Sequence, residues 1–342
     1  MSRELIIHSS GPGVTVQDMG RPGYLGFGLS RGGAADRMAL LEGAALLGQW
    51  ADCAALEMAG MGGTFEAGED MVIALTGAPM KASIDGARIA WNASHALPQG
   101  ARLSIGAVEQ GSYGYLHLAG GIDTPELLGA RGTHLAAGLG RALKAGDRLP
   151  VGPPARGAAA NLTLPVSPRF AGGTVRVVPS LQTEVFPPEE IARFEATAFT
   201  RDTRGNRMGV RLVSPDKGFG TDSGLSILSE VIIPGDIQVT GDGTPFVLLT
   251  ECQTTGGYPR IGSVLPYDLP IVAQAQAGVP LRFRFITLEE GVQIARREQA
   301  RAEGLRKLRR PLIRDPRHMA DLISYQLISG VTAGHDMEKA DT

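Results

Sequence analysis

The amino-acid sequence predicts a mainly β fold with few helices, and its glycine and proline content is the first reason. The 342 residues include 47 glycines and 22 prolines, which lie between short apolar runs. Such spacing is typical of many short strands joined by tight turns. The second reason is the alternation of apolar and polar residues within some of these runs. The third is that few segments have a helical pattern.

Alternation is clearest in the segment Leu281–Ile286, where arginines separate Leu281, Phe283 and Phe285. Because successive side chains of a strand point to opposite faces, this pattern places the apolar side chains on one face and the charges on the other. Met71–Thr76 has the composition of a buried strand, whereas Ser112–Ala119 alternates, with Tyr113, Tyr115 and His117 on one face. The sequence therefore predicts strands at Met71–Thr76, Ser112–Ala119, Thr174–Val178, Ile237–Thr240, Phe246–Thr250 and Leu281–Ile286.

Three segments have the start or end signals of a helix. Ala34–Leu47 is rich in Ala, Leu and Met and precedes Gly48, a residue type that commonly ends helices. Pro188–Ala196 begins with proline and two glutamates, which favour the first turn of a helix. Thr287 and Glu290 have the spacing of a capping box, so a third helix is predicted to begin there.

The chain divides into four predicted parts. Residues 151–173 contain four prolines, a run of alanines and a glycine pair, a composition typical of a linker. This linker separates an N-terminal β domain of residues 1–150 from a C-terminal β domain of residues 174–304. Residues 305–342 form a basic tail, in which we expect a short helix at Asp321–Gly330.

Charge and hydropathy argue against nucleic-acid and membrane partners. The formal net charge is −2, so no overall positive field attracts a phosphate backbone. No window approaches the roughly 18 consecutive apolar residues of a membrane-spanning helix, and no apolar signal segment is visible. Cys53 and Cys252 lie in apolar surroundings and are interpreted as buried, unpaired residues. We therefore expect a cytoplasmic protein. The basic run near the C-terminus fits a solvated helix face or a contact with an acidic partner.

Two motifs resemble functional sites but lack the expected context. Gly28-Leu-Ser-Arg-Gly32 matches the nucleophile elbow of serine hydrolases, so a serine esterase using Ser30 is an alternative function. Glycines break the preceding segment and no α/β alternation follows, so we interpret this match as chance. Lys81 follows a methionine, as in a biotin attachment site, but no second methionine follows it. We expect that biotin is not attached to this chain. The six histidines are scattered, and no metal site is predicted.

Four clusters of glycines and polar residues remain as candidate binding sites. Glycine lets the backbone approach a ligand closely, while polar side chains supply donors and acceptors. In the second cluster a carboxylate starts the first predicted helix, so a simple N-cap is the alternative there. The clusters are Gly11–Tyr24 with Gln17, Asp18 and Arg21; Gly32–Asp36 with Asp36; Asn206–Leu212 with Arg207; and Glu251–Ile261.

The fourth cluster is the densest. It follows the predicted strand Phe246–Thr250, and an ordinary turn needs only one or two residues of this kind. Amide and hydroxyl donors beside a glycine pair are able to bind an anion or a carbonyl oxygen. A polar corner of a barrel is the alternative interpretation. The polar residues that surround the glycine pair are Gln253, Thr254, Thr255, Tyr258 and Arg260.

In this order along the chain, the clusters resemble the biotin-dependent carboxyltransferase-like family, which includes the C subunits of 5-oxoprolinases and the second subunits of allophanate hydrolases. The most specific motifs are Gln-Asp-x-Gly-Arg at 17–21 and Gln-Thr-Thr-Gly-Gly-Tyr-Pro at 253–259. The sequence departs from the family pattern in three places. Arg31-Gly32 stand where many relatives have Pro-Ser, Val231 stands where many have glycine, and Arg260 stands where lysine is frequent. Further matching segments are Ala55–Glu57, Thr76–Ala78, Ala119–Asp123, Gly140–Asp147, Arg207–Gly209, Ile233–Gly235 and Gln238–Val239.

The resemblance implies cyclophilin-like β-barrel units with a few peripheral helices. It also implies that the chain is part of a hetero-oligomeric enzyme that processes a small amide. This is either the C subunit of an ATP-dependent 5-oxoprolinase, which converts 5-oxoproline to L-glutamate, or a carboxyltransferase acting on an amide such as urea. The expected partners are a Kip-inhibitor-type B subunit and a third, lactam-opening A subunit. ATP is the expected cofactor, in this chain or with the partner. A regulatory module of Kip type, which antagonises a kinase inhibitor, is the alternative.

The candidate site residues follow from these motifs. Gln253, Thr254 and Thr255 are expected to hold the amide and its developing oxyanion. Asp18 and Asp36 are expected to orient the substrate or to act as a base. Arginine forks pair well with planar carboxylates and phosphates, so the arginines of the motifs are expected to bind anions. The substrate-binding candidates are Gln17, Arg21, Arg207, Gln238, Tyr258 and Arg260.

Overall fold

The computed structural model describes residues 3–221 and 224–313. The first half of the chain forms eleven strands and one helix. They are β1 (Glu4–Ser10), β2 (Thr15–Gln17), α1 (Arg37–Leu47), β3 (Ala55–Ala59), β4 (Met61–Ala67), β5 (Met71–Gly77), β6 (Met80–Ile84), β7 (Ala87–Arg88), β8 (Ala93–Leu97), β9 (Arg102–Val108), β10 (Tyr113–Leu118) and β11 (Arg148–Pro150).

The described part of the second half contributes eleven more strands and three more helices. They are β12 (Leu162–Thr163), β13 (Gly173–Val178), α2 (Pro188–Ala196), β14 (Phe199–Arg201), β15 (Gly209–Val213), β16 (Glu230–Val231), β17 (Asp236–Val239), β18 (Pro245–Leu248), β19 (Thr255–Gly256), β20 (Arg260–Val264), α3 (Leu269–Gln274), β21 (Pro280–Phe285), α4 (Leu288–Glu303) and β22 (Arg310–Pro311).

The N-terminal strands form two sheets that share one apolar core. The six-stranded sheet has the order β11-β1-β4-β9-β6-β7, and the seven-stranded sheet has the order β2-β3-β10-β5-β8-β12-β22. Side chains from both sheets are fully buried between them, among them Leu5, Phe65, Ile73 and Leu116. Burial of such side chains is the main force that holds the two sheets together, at about 1.5–3 kcal/mol for each large aliphatic or aromatic side chain.

Helix α1 packs on the outer face of the seven-stranded sheet, so its strand β10 is buried on both faces. The contact is close at Gly43, where an added Cβ would lie 2.3 Å from the ring of His117. Thr76 holds that ring through a 2.7 Å hydrogen bond to its Nε2 atom. Burial lowers the pKa of His117 to about 3, so the ring is neutral.

The C-terminal strands close into a seven-stranded barrel with the order β13-β20-β17-β18-β15-β14-β21. A parallel pair, β13 with β21, joins its first and last strands. Aromatic rings fill the interior: the centroid of Phe194 lies 4.9 Å from that of Phe199, 5.5 Å from that of Phe219 and 5.2 Å from that of Phe283. Strands β16 and β19 form a small separate ribbon beside the barrel.

The mainly β prediction, with barrel units and few helices, is confirmed, as are all six predicted strands and the three predicted helices. Helix α1 begins at Arg37 and not at Ala34, because Asp36 is its N-cap and accepts a hydrogen bond from the amide of Ala39. Helix α4 has both hydrogen bonds of the predicted capping box. The short helix α3 was not predicted, and the helix expected at Asp321–Gly330 lies outside the described residues.

The segment 151–173, which the sequence analysis interprets as a linker, takes part in the packing. Its strand β12 lies in the seven-stranded sheet between β8 and β22. Its Arg169 is buried and forms ion pairs with residues of α1 and its cap. Within residues 3–221 and 224–313, no helix has the length and hydropathy needed to cross a membrane.

Candidate functional site

Buried ion pairs join the N-terminal sheets to the barrel, and Arg207 is at their centre. Its Nη1 atom contacts Glu57 of β3, its Nε donates to Glu251 at 2.6 Å, and its Nη2 donates to the carbonyl oxygen of Gly33 at 2.6 Å. Burial disfavours the charge, but the two carboxylates outweigh it and raise the pKa of Arg207. The guanidinium of Arg207, which the sequence predicts to bind an anion, is therefore bound by groups of its own chain.

Asp36 belongs to a second set of buried ion pairs. Its Oδ2 atom accepts from Arg169 at 2.7 Å and from Gln274 of α3 at 2.8 Å, and its Oδ1 caps α1. Arg169 also donates to Glu42 at 2.7 and 2.9 Å. With both oxygens occupied, Asp36 holds the start of α1 against the barrel. We call the six charged residues of the two sets the ion-pair seam: Asp36, Glu42, Glu57, Arg169, Arg207 and Glu251.

Three of the predicted motifs meet at a cavity of about 220 Å³ on the barrel. The motif around Arg207 contributes Asn206, the Gln-Val pair contributes Gln238, and the densest cluster contributes Gln253. These segments meet because β15, β17 and β18 are neighbours in the barrel. We call this cavity the Gln238 pocket. It is lined by Arg204, Asn206, Met208, Gly209, Ile232, Gln238, Phe246, Leu248, Cys252 and Gln253.

Gln238 is the most informative residue of this pocket. Its side chain is buried, and its Nε2 atom has no hydrogen-bond partner in the described part of the chain. An added Cβ on Gly256 would lie 2.4 Å from that atom, so a side chain at position 256 would displace the Gln238 amide. A buried donor without a partner costs about 1–3 kcal/mol. Such a cost is expected where a ligand supplies the missing acceptor.

The other groups of the Gln238 pocket are neutral or apolar, apart from one exposed arginine. Asn206 accepts from the amide of Met208 at 2.8 Å through its Oδ1 atom, which leaves its Nδ2 group for a ligand. Ile232, Leu248 and Cys252 form an apolar cluster behind it, and burial raises the pKa of Cys252 to about 12. No carboxylate or histidine is among the lining residues. The pocket is suited to holding a small amide by hydrogen bonds and offers no acid–base pair.

The first cluster supports a loop. Asp18 accepts from the backbone amides of Gly20, Arg131 and Gly132 at 2.6–3.0 Å. Gln17 donates to Thr15 and to the carbonyl oxygen of Thr133, both at 3.0 Å. Both side chains therefore order the segment around residues 131–133. Arg21, also buried, donates to the carbonyl oxygens of Leu127, Ala130 and Gly132.

The densest cluster is divided among several environments. Gln253 is exposed at the pocket, Thr255 pairs with Val231 in the β16–β19 ribbon, and Thr254 accepts from the amide of Ile232 through its carbonyl oxygen. The side chain of Tyr258 is exposed. Arg260 is buried and donates to Gln182, Val231, Glu230 and Asp236, so its guanidinium is also held within the chain.

Ser30, the residue of the esterase alternative, has a histidine and a carboxylate nearby. Its Oγ lies 3.0 Å from Nε2 of His134, whose Nδ1 lies 3.9 Å from Glu251. However, Nδ1 accepts a hydrogen bond from the amide of Ala137, and burial lowers the pKa of His134. The proton of the neutral ring is therefore on Nε2, which donates to Ser30. A general base needs the opposite tautomer.

Sequence reasoning stressed Arg207 and passed over Asn206 as a site residue. The structure buries Arg207 in the ion-pair seam and places Asn206 in the pocket. One motif therefore supplies both a structural side chain and a ligand-facing side chain. The asparagine before the arginine was the available signal. Across the described residues, no three His, Cys, Asp or Glu side chains are grouped as they would be around a metal ion.

Comparisons with known proteins identify the family to which the chain belongs. Residues 27–285 match the family model described as carboxyltransferase domain, subdomain A and B. The chain is 36% identical over 301 residues to the 5-oxoprolinase C subunit of Escherichia coli, which corresponds to 87% of this chain and 96% of the relative.

Two solved structures have the same fold. The structure of the protein TTHA0988 is 31% identical, with a TM-score of 0.75, and the match covers 83% of this chain and 56% of that one. The urea carboxylase of Kluyveromyces lactis is 25% identical, with a TM-score of 0.81, over 92% of this chain and 31% of that one. The chain therefore spans about half of the first protein and about a third of the second.

Proposed function

This chain belongs to the family of carboxyltransferase domains with subdomains A and B, and we propose that it is the C subunit of an ATP-dependent 5-oxoprolinase. The substrate would be 5-oxoproline and the product L-glutamate. The E. coli relative, itself named as a 5-oxoprolinase component, matches over nearly its whole length, whereas the urea enzyme matches over about a third of its own length. This difference favours the 5-oxoprolinase over a carboxyl transfer to urea.

The observation that carries the proposal is the unpartnered Nε2 atom of Gln238 inside a small pocket. A lactam presents one carbonyl oxygen and one N–H, which match an amide donor and an amide acceptor. A hydrogen bond from Gln238 to the carbonyl oxygen would strengthen as negative charge develops there. Gln253 and Asn206, on the same pocket wall, would orient the rest of the amide.

The size of the pocket bears on where ATP binds. At about 220 Å³ the Gln238 pocket is below the roughly 300–1,000 Å³ of sites that enclose drug-sized ligands. We therefore assign 5-oxoproline to this chain and ATP to the surface shared with a Kip-inhibitor-type B subunit. A third, lactam-opening A subunit would complete the opening of the ring. In this proposal the complex acts in the cytoplasm, and biotin is not attached to this chain.

Reconstitution with candidate A and B subunits from the same source tests the function. We expect ATP-dependent formation of glutamate from 5-oxoproline, and no turnover by this chain alone. Urea-dependent consumption of ATP and bicarbonate, without glutamate formation, would favour the carboxyltransferase instead. If the chain binds a Kip-type partner but no combination of the three proteins turns over an amide, the regulatory module becomes the better interpretation.

Gln238→Leu tests the pocket within the reconstituted complex. Leucine keeps the approximate volume but removes the donor, so we expect turnover to fall roughly 10²-fold, as when an oxyanion-hole donor is removed. The melting temperature should stay close to that of the wild type, because the Nε2 atom has no partner to lose. Gln299→Leu, on the exposed face of α4, is the matched control. Wild-type turnover by Gln238→Leu would exclude this pocket as the site.

A further inference from the structure

A second cavity, of about 280 Å³, lies between residues 21–37 and loops of the barrel. Arg21, Arg31 and Arg37 line one side of it. The other side is largely apolar and includes Ile233 and Leu269. We call this cavity the arginine pocket. It has no lining residue in common with the Gln238 pocket.

Several donors at the arginine pocket have no acceptor. Arg21 is only 1% exposed, and its Nη1 atom has no partner although its other nitrogens are bonded. The Nε atom of Arg37 and the Oγ1 atom of Thr250 are likewise buried and unpartnered. Three of the seven unpartnered buried side-chain atoms of the described chain thus belong to residues of this cavity. Such a concentration indicates that an acceptor is to be supplied from outside.

The positive charges of the arginine pocket are not neutralised locally. Among the described residues, none of Arg21, Arg31 and Arg37 forms an ion pair, and no carboxylate lines the cavity. Asp18 and Glu251 favour the charge of Arg21 from a distance, but other donors occupy their oxygens. Burial and the charge of Arg31 lower the pKa of Arg37. Uncompensated buried charge is unfavourable unless an anion joins it.

We propose that the arginine pocket binds a small organic carboxylate with an apolar body. The carboxylate would accept from Arg21 and Arg37, whose planar donor groups suit it, with Arg31 adding to the field. The apolar body would lie against Ile233 and Leu269. The backbone amides before α1 are already used, for example that of Ala34 by the carbonyl oxygen of Asp18, so side chains provide the contacts. This site goes beyond the proposed function, which uses the other pocket.

The test uses three probes: benzoate, benzamide and inorganic phosphate. Calorimetry measures the binding of each to the full chain. Benzoate and benzamide have nearly the same shape and differ in charge, whereas phosphate has charge without an apolar body. We expect saturable binding of benzoate, with benzamide and phosphate each at least about tenfold weaker, as for the loss of a charge-assisted pair or of an apolar contact.

Arg37→Gln is the informative variant, because the buried Nε atom of Arg37 has no hydrogen-bond partner in the described chain to lose. We expect it to weaken benzoate binding at least about tenfold while leaving the melting temperature of the free chain unchanged or higher. Arg31→Gln is the second variant, for use if the first does not fold. Arg88→Gln, on the exposed strand β7, and Gln238→Leu should bind benzoate as the wild type does.

Four results would overturn the proposal. Equal binding of benzamide would show that charge is not used, and equal binding of phosphate would show that no apolar body is recognised. Benzoate affinity unchanged in both arginine variants would place the ligand elsewhere. Loss of benzoate binding in Gln238→Leu but not in Arg37→Gln would assign the carboxylate to the Gln238 pocket, leaving the proposed function intact.

Discussion

The ion-pair seam and the arginine pocket use the same residue type for opposite purposes. In the seam, Arg207 and Arg169 are each surrounded by two carboxylates of the chain. In the pocket, Arg21, Arg31 and Arg37 lie together without an ion pair among the described residues. Both regions adjoin the same boundary between the N-terminal sheets and the barrel. An arginine that has partners in its own chain holds the fold, whereas one without them is available to a ligand.

The difference lies in the residues that face each arginine and not in its own sequence context. Arg21 and Arg207 both belong to glycine-containing motifs of the family. The partner of Arg207, Glu57, is 150 residues away in sequence, on strand β3. The arginine pocket, which Arg21 and Arg37 line, is also lined by Ile233 and Leu269 and by no carboxylate. Apolar groups cannot neutralise a guanidinium, so the charge on that side stays uncompensated.

Breaking the seam should have the largest effect. Arg207→Met removes one buried charge and leaves two carboxylates, Glu57 and Glu251, without their cation. Removing one partner of a buried ion pair typically costs about 3–5 kcal/mol, so we expect a loss of that size in the free energy of unfolding, measured by chemical denaturation. Arg204→Met, three residues earlier on an exposed ion pair, should change much less. Equal losses in the two variants would mean that the seam does not hold the two halves together.

The fold could be predicted to a large extent because its signals are local. Alternation in Leu281–Ile286 requires only that one face be buried, and the capping box at Thr287 acts within one turn. Helix α3 was missed because six residues, one of them proline, are too short to show a helical period. Burial of β10 on both faces was also missed, since it depends on α1 packing over the sheet.

The candidate site could be predicted only in part because its signals are not local. The motifs brought attention to Gln238 and Gln253, which line one pocket. They gave equal weight to Arg207 and Arg260, whose donors are occupied by carboxylates from other segments. Whether a polar side chain has a partner is a property of tertiary contacts. A pattern of residues that are neighbours in the sequence cannot predict whether such a partner is present.

The buried, neutral ring of His117 predicts how the free energy of unfolding depends on pH. The pKa of His117 is about 3 in the folded chain, against an ordinary value of 6.5. As pH falls from 6.5 to 3, the unfolded chain therefore binds a proton on this ring that the folded chain does not bind. The stability that His117 contributes is complete above pH 6.5 and is lost below it. One such group accounts for about 2 kcal/mol between pH 6.5 and 4.5.

His117→Gln removes this titration, so its free energy of unfolding should fall less steeply over that range, whatever its value at neutral pH. Denaturation at several pH values checks the slope. Parallel curves for the wild type and His117→Gln would show that the ring is not held neutral in the folded chain.

The smallest expected effect concerns Ser30, which lies between the two regions. It lines the arginine pocket, and its partner His134 lies beside Glu251 of the seam. Because Nδ1 of His134 accepts from Ala137, the ring donates to Ser30 and cannot take its proton. Ser30→Ala should therefore cost only one hydrogen bond, about 1 kcal/mol of stability, with no loss of turnover in the reconstituted complex. A serine nucleophile would instead lose turnover by several orders of magnitude on this change and would react with a fluorophosphonate probe. Stoichiometric labelling of Ser30 would mean that the ring takes the other tautomer, and that the arginines beside it face an acyl group in place of a free carboxylate.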